Sequence, residues 1–446
     1  MPGPKAPWAA RAARHLIFKV LRHLRDGELT LVCPDETYLF GAPGTATNAL
    51  IEVHDERFFR RILLAGDVGL GESFMDGEWS SPNLVETLRV LVRNQNLADD
   101  RNRGFTLVLR SIERIRHLLR SNTLSGSRRN ISYHYDLGND FYRLFLDSSL
   151  GYSCAFYETS SDSLEAAQRQ KYDRICRKLL LSPSDRLLEI GTGWGGLAIH
   201  AARDYGCQVT TTTISREQFA YANSLVEKSG LGGQIRVLLE DYRQLSGRFD
   251  KIVSVEMFEA VGHRNYDTFC GQCDRLLAPH GSMLLQTITM PDRRFRNYLS
   301  RCDWVQKHIF PGAELASITE VLLSLAGVTR LQLHHAEEIG MHYSYTLRAW
   351  RERFLAALPQ VRALGFDERF IRMWDFYLAS CEAAFAERSI GDIQLLLTKA
   401  GNRARMLGEP WPEKKDKPVQ EDANFGRMLE ENPFPPAKAT VQEGPR

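Results

Sequence analysis

The residues best suited to chemistry stand in one short stretch, Leu187 to Ala198, which reads LLEIGTGWGGLA. An apolar run containing Glu189 is followed by Gly191, Gly193 and Gly195 before a helical pattern begins. Such a turn brings backbone amides close to a ligand, because no Cβ intervenes. The spacing is GxGxG rather than the GxGxxG of dinucleotide sites, and the next strand, ending TTTIS at Ser215, carries no acid for a ribose. The absence of GxxxxGK[ST] argues against a triphosphate cradle. The loop suits a smaller, cationic ligand whose amino acid end rests on the amides while Glu189 balances its charge, which favours S-adenosylmethionine over NAD. TISREQ (213–218) places the hydroxyls of Thr213 and Ser215 and the amide of Gln218 where a ribose would lie. EDY (240–242) closes another strand with Asp241, suited to an adenine amino group, and Tyr242.

The elements that must hold these residues follow from the pattern around them. From about Leu180, the strand-like runs RLLEI, CQVTTTTI, QIRVLLED, FDKIVSVEMF and GSMLLQTITM alternate with helical LAIHAARDYG, SREQFAYANSLVEKSG and NYDTFCGQCDRLLAP. This alternation predicts an α/β fold, a doubly wound, mostly parallel sheet with its ligand at the carboxyl ends of the strands. Before it, LTLVCP and ALIEVHD read as strands, and DERFFRRILLAGDVGLGESFMDGEW reads as a helix broken at its glycines. NLVETLRVLVRNQ and TLVLRSIERIRHLLR are predicted helices, and the region after Met341 is expected to be helical.

At 446 residues the chain is too long for one ordinary core. The reading is a smaller N-terminal α+β domain (1–120), a linker (121–130), a catalytic domain (131–407) and a disordered tail (408–446) rich in Pro, Glu and Lys. A net charge of +2 argues against a chain-wide nucleic-acid surface. Residues 1–30 nevertheless carry six Lys/Arg against two acids, and residues 101–130 carry eight Arg against Glu113. These are either solvated helix faces or surfaces drawn to anionic lipid. The first helical pattern, with Ala13, Leu16, Ile17, Val20, Leu21 and Leu24 on one side, is either a core helix or one lying on a membrane. No apolar run approaches the roughly 20 residues of a span, so a cytoplasmic protein is expected. The eight cysteines show no disulfide framework, and Cys270 and Cys273 read as core rather than as metal ligands, so no metal is expected.

Further motifs carry a family resemblance. HYDLGNDFYRLFLDSSLGYSCAFY (134–157), SVEMFEAVGHRNYDTF (254–269), QTITMPD (286–292), HIFPGAELAS (308–317), HYSYTLRAWRERF (342–354) and ESFMDGEW (72–79) stand in order across most of residues 70–400. With the glycine loop, they make the chain resemble the cyclopropane-fatty-acyl-phospholipid synthase family, which includes the mycolic acid cyclopropane synthases. The resemblance implies a seven-stranded, Rossmann-like class I methyltransferase that moves a methyl carbon from S-adenosylmethionine to the cis double bond of a phospholipid acyl chain. It implies cofactor contacts at Tyr152, Ser153, Gly191, Gly193, Thr213, Gln218, Asp241 and Tyr242. It also implies a bicarbonate ion held by Cys154, Glu259, the backbone of Ile288 and Tyr343. Two positions depart from the family pattern: Gln286 replaces a histidine ligand of that ion, and Ala260 replaces the histidine of FEHVG.

Methyl transfer to an alkene leaves a carbocation, which needs a pocket without nucleophiles. Aromatic faces can stabilise it, and Tyr135, Phe141, Tyr157, Trp304, Phe310, Tyr343 and Tyr345 are the candidates. Loss of a proton from the delivered methyl closes a cyclopropane, and bicarbonate polarised by Glu259 and Tyr343 is the expected base. Gln286 cannot carry a proton as histidine does, so a methyl-branched or methylene product stays open beside the ring. A non-catalytic lipid-binding module is the reading from another class. The expected partners are unsaturated phospholipid chains and an anionic membrane surface on the inner face of the membrane. No nucleic acid is expected, and a homodimer is implied by the resemblance.

Overall fold

The alternation of strand and helix builds a seven-stranded sheet of order β10-β11-β9-β8-β5-β6-β7. Its strands are β5 (Arg186–Ile190), β6 (Gln208–Thr213), β7 (Ile235–Leu239), β8 (Phe249–Val255), β9 (Leu277–Thr289), β10 (Leu331–Glu338) and β11 (Gly391–Lys399). The five from β7 to β9 run parallel, while β11 pairs antiparallel with both β9 and β10. The computed structural model describes residues 8–42, 48–95 and 137–404. The basic run 101–130 with its expected helix, the linker 121–130, Tyr135 and the tail 408–446 lie outside the described residues.

Successive strand residues face opposite sides of a sheet, and here both sides are covered. Leu188, Ile252, Met283, Leu285 and Leu395 pack toward the helices Tyr266–Leu276 and Ile318–Val328. Leu187, Val253, Leu284 and Leu396 pack toward the helices Leu164–Leu179 and Gly196–Tyr205. Two-sided burial explains why the central strands read as unbroken apolar runs. Cys270 and Cys273 lie in the first of these cores. The aromatic region after Met341 forms the helices Gly340–Ala356 and Glu368–Ala386, which pack against each other, and then β11, a strand the sequence reading did not anticipate.

A second sheet, of order β2-β1-β3-β4, contains β1 (Glu28–Val32), β2 (Thr37–Gly41), β3 (Asn48–Val53) and β4 (Trp79–Ser80). The expected broken helix is the pair Arg57–Ala65 and Asp67–Met75, separated at Gly66, whose φ of +60° a residue with a side chain adopts with difficulty. In the helix Trp8–Leu21, Ala13, Ile17, Phe18 and Leu21 face the core, but Leu16 is 48% exposed. Beside this face Arg14 donates to Asp35, Glu56 and Tyr38. Among the described residues no helix is long and apolar enough to cross a membrane.

The helices Asp67–Met75 and Leu84–Arg93 beside the second sheet pack on the helix Glu368–Ala386, and the first of them also on Trp304–His308. Glu72 accepts from Lys307 and His308, and its carboxyl is lowered to about 2, chiefly by the His308 hydrogen bond. Arg89 and Arg93 both reach Glu387. Gly71 sits against Trp304 and Phe376, so closely that a Cβ there would lie 2.4 Å from the indole. Gly71→Val is therefore expected to destabilise the protein by about 2 kcal/mol through overpacking, read as a lower urea midpoint; an unchanged midpoint would show that this contact yields easily.

Candidate active site

The cavity opens at the carboxyl ends of β5, β6 and β8, where the strand order reverses and where ligands of open α/β sheets bind. Gly191 leaves β5 at a φ of +105°, and a Cβ on it would lie 3.0 Å from Cβ of Met257. Only a residue without a side chain fits both demands. Gly191 and Gly193 line the cavity, together with Tyr152, Ser153, Glu189, Thr213, Gln218, Asp241 and Tyr242. Two of the expected contacts lie elsewhere. Gly195 begins the helix Gly196–Tyr205 and faces Ala222, and Ser215 caps the helix Arg216–Lys228, its hydroxyl accepting from the Gln218 N–H.

Polar partners fix the lining side chains. Thr213 donates to Gln218 Oε1 at 2.8 Å. Asp241 is engaged by its neighbour Arg243, whose backbone N–H and guanidinium both donate to its carboxylate. The Tyr152–Ser153 segment is held by residues that the sequence reading passed over. The side-chain amide of Gln168 donates to the carbonyls of Gly151 and Ser153, and the fully buried Lys171 donates to the Ser153 hydroxyl at 2.6 Å. Both lie on one face of the helix Leu164–Leu179, but a buried lysine in a helix gives no sequence signal of its own.

Glu189 is 3% exposed and accepts from Thr211. Burial pushes its carboxyl up to about 8, so near neutral pH it is largely uncharged. A cation bound in the cavity favours the ionised form, so binding of S-adenosylmethionine expels a proton below that value. Its affinity should then rise with pH by up to about tenfold per unit between roughly pH 6 and 7.5. Glu189→Gln should flatten that slope in calorimetric titrations, and an equal slope in both proteins would remove Glu189 from the cation's environment.

The residues expected for the chemistry do gather, but beside this cavity rather than in its lining. Cys154, Glu259, Gln286, Ile288 and Tyr343 are not lining residues; Glu256 is. The carboxylate of Glu256 accepts from the Cys154 N–H at 2.8 Å, Gln286 Nε2 at 2.9 Å and Tyr343 Oη at 2.6 Å. Glu259 accepts from the Thr287 hydroxyl at 2.9 Å and the Ile288 N–H at 2.5 Å, and burial together with the charge of Glu256 pushes it up to about 8. The thiol of Cys154, buried completely, is pushed well above its ordinary value, so this residue contributes its backbone rather than a thiolate.

The Cys154, Ile288 and Tyr343 groups expected around bicarbonate are thus spent on protein carboxylates, and so is Gln286. A further anion has no free donor among them and would face Glu256, Glu259 and the buried Asp392. These residues do not fit a bicarbonate ion. Sequence reasoning singled out Glu259 and missed Glu256, although both stand in VEMFE. The available signal was an acid directly after the buried strand β8, at the end of the sheet where the ligand binds.

Of the aromatic candidates, Tyr343 stacks on Phe385, and Phe310 packs near Tyr152 and Tyr377 beside the site. Phe141 belongs to an aromatic core with Phe145, Phe354 and Trp374, whereas Tyr345 is 45% exposed.

This sheet order, with a glycine loop after β5 and a cavity at the strand ends, defines a class I S-adenosylmethionine-dependent methyltransferase. A family model described as mycolic acid cyclopropane synthetase matches residues 123–395. Tuberculostearic acid methyltransferase UfaA1 of Mycobacterium tuberculosis is 37% identical over 414 residues, covering 90% of this chain and 93% of that protein. Cyclopropane-fatty-acyl-phospholipid synthase of Escherichia coli is 40% identical over 363 residues, covering 80% and 90%. The crystal structure of mycolic acid cyclopropane synthase CmaA1 with SAH and CTAB superposes with a TM-score of 0.57 at 34% identity, covering 61% of this chain and 98% of that one. The chain belongs to the mycolic acid cyclopropane synthetase family.

Proposed function

We propose that the protein transfers a methyl carbon from S-adenosylmethionine to the cis double bond of an unsaturated acyl chain in a membrane phospholipid, and that a cyclopropane results. The observation that carries this reading is the placement of hydrogen-bonded carboxylates at the wall of a cavity that begins at the glycine loop. An alkene is a weak nucleophile, so rate depends on alignment and on the exclusion of water. When bound, S-adenosylmethionine supplies an electrophilic methyl on a sulfonium. Gly191 and Gly193 give backbone room for its amino acid end, Glu189 opposes its charge, and Gln218 and Asp241 stand where its nucleoside would lie. The reaction then needs a base beside the acceptor carbon and aromatic faces to accommodate positive charge, for which Tyr152 lines the cavity and Phe310 packs beside it.

A second reading, methyl or methylene branching of the same chain, is favoured by one observation: the M. tuberculosis relative that spans 90% of this chain is named a tuberculostearic acid methyltransferase. The readings differ in the fate of the cation: it is closed into a ring, or a hydride first shifts to it from the methylated carbon, so that loss of the methyl proton leaves a methylene branch. The protein is expected to dock at an anionic membrane surface on the cytoplasmic side through its N-terminal domain (1–120) and basic segments, to deliver the chain to a catalytic domain spanning 131–407, and to pair as a homodimer.

Lipid extracts after expression in a host lacking its own enzyme test the proposal. The expected product is heavier by one CH2 and shows ring methylene protons upfield of other lipid signals. A product of that mass with vinylidene protons, or its saturated form made by a reductase of the host and heavier by two further hydrogens, would replace the ring by the branch. Absence of both, with no binding of S-adenosylmethionine by calorimetry, would leave a lipid-binding module.

A further inference from the structure

We propose that the carboxylate of Glu256 is the base of the reaction and stands in the place expected for bicarbonate, so that the protein works without that ion. The inference rests on the methyl-transfer reading above and names its proton acceptor. Glu256 lines the cavity, whereas the donors expected around bicarbonate lie behind it and point at its oxygens: the Cys154 N–H and Gln286 at Oε1, and Tyr343 at Oε2. Charge-assisted bonds of this kind fix a carboxylate in orientation as well as in place.

Two further observations bear on the position. Glu256 has a φ of +47°, in the left-handed region that side chains disfavour. A residue held there against its preference points to a functional demand on its side chain. Its backbone N–H bonds the Gln286 carbonyl at 2.9 Å, which pins the strained residue to β9. Asp392 is fully buried and receives the same Gln286 amide. Burial and the charge of Glu256 push Asp392 well above its ordinary range. Burial also raises Glu256, which strengthens it as a base, while Tyr343, the Cys154 N–H, Lys171 and Gln286 oppose the rise.

The step balances without another reagent. The π electrons of the alkene form the bond to the methyl carbon as the carbon–sulfur bond breaks, its electrons staying on sulfur. The neighbouring alkene carbon is left cationic. Glu256 takes a proton from the delivered methyl, and the C–H electrons close the ring; if a hydride first shifts from the methylated carbon to the cationic one, the same electrons form a methylene branch.

The full chain, assayed with S-adenosylmethionine and vesicles of cis-monounsaturated phosphatidylglycerol in carbon-dioxide-stripped buffer, tests this. Native turnover is expected to be the same with and without added bicarbonate. Glu256→Gln is expected to lose about 1000-fold in turnover while binding S-adenosylhomocysteine as the native protein does, which shows that it folds. Glu256→Gly suits the backbone and vacates the donors, so it should be inactive in stripped buffer and regain turnover when bicarbonate is added. Carbon-13 bicarbonate should bind saturably to Glu256→Gly and not to the native protein. Native turnover that falls on stripping and returns with bicarbonate, or near-native turnover by Glu256→Gln, overturns the proposal. If no acyl chain is methylated at all, the functional reading fails. The labelled-bicarbonate comparison still judges the site, because binding to the native protein refutes it and binding to the glycine variant alone supports it.

Discussion

Gly191→Ala should weaken binding of S-adenosylmethionine about 100-fold, close to 2.7 kcal/mol, with little change in the thermal midpoint. The loop at this point has a φ of +105°, and an added methyl would lie 3.0 Å from Met257 Cβ at the cavity wall. An alanine is strained by both, at a cost on the order of 1–3 kcal/mol, and the loop relieves it by moving where the cofactor's amino acid end must rest. Gly193→Ala is the control. Its φ is +52° and its Cβ direction is open, so a loss of less than about tenfold is expected there. Calorimetric titration of both variants separates the cases; equal losses would show that positive φ alone, rather than the approach to Met257, sets the requirement.

Tyr343→Phe should lower turnover about 100-fold and leave the affinity for S-adenosylhomocysteine unchanged. The ring is packed, its centroid 4.5 Å from that of Phe385, and phenylalanine keeps that packing. What is lost is the hydroxyl that donates to Glu256 Oε2 at 2.6 Å. That donor favours the ionised carboxylate, so its removal raises Glu256 further above the ordinary range. A base with a raised pKa is protonated up to a higher pH, so the acidic limb of the turnover profile should shift upward in the variant. A reduced rate with an unmoved limb would assign Tyr343 to packing around the substrate instead of to Glu256.

The alternation of RLLEI, CQVTTTTI and QIRVLLED with helical segments was legible because a parallel sheet covered on both faces writes its central strands as apolar runs. Four strands escaped, the shortest being the two residues of β4, which the sequence places at the end of the broken helix. β2 is a five-residue strand whose Tyr38 and Phe40 face inward, but the exposed Leu39 between them leaves an apolar run with no alternation to read. β10 is an edge strand of the large sheet, mostly exposed, with two histidines and two glutamates. β11 is buried along almost its whole length, and an apolar run without alternation is indistinguishable from a continued helix by periodicity. At the site, the glycine loop and its acid were readable because few other demands select those residues together. Glu256 was not, because two acids three residues apart in VEMFE look equivalent until the backbone turns one to the cavity and the other to the Ile288 amide.

Gln286 has a further consequence, in how sequences of this kind can diverge. Its amide nitrogen serves Glu256 and Asp392, while its oxygen accepts from Gln394, which is itself held by Lys178 and through it by Glu337. A histidine at 286 has no oxygen to meet Gln394 and cannot donate to both carboxyls from one atom. A lone change there strands polar groups on either side, in the middle of a sheet where water cannot replace them. Positions 256, 286, 392 and 394 should therefore covary among related chains, each choice at 286 matched to the carboxyls and the amide that surround it.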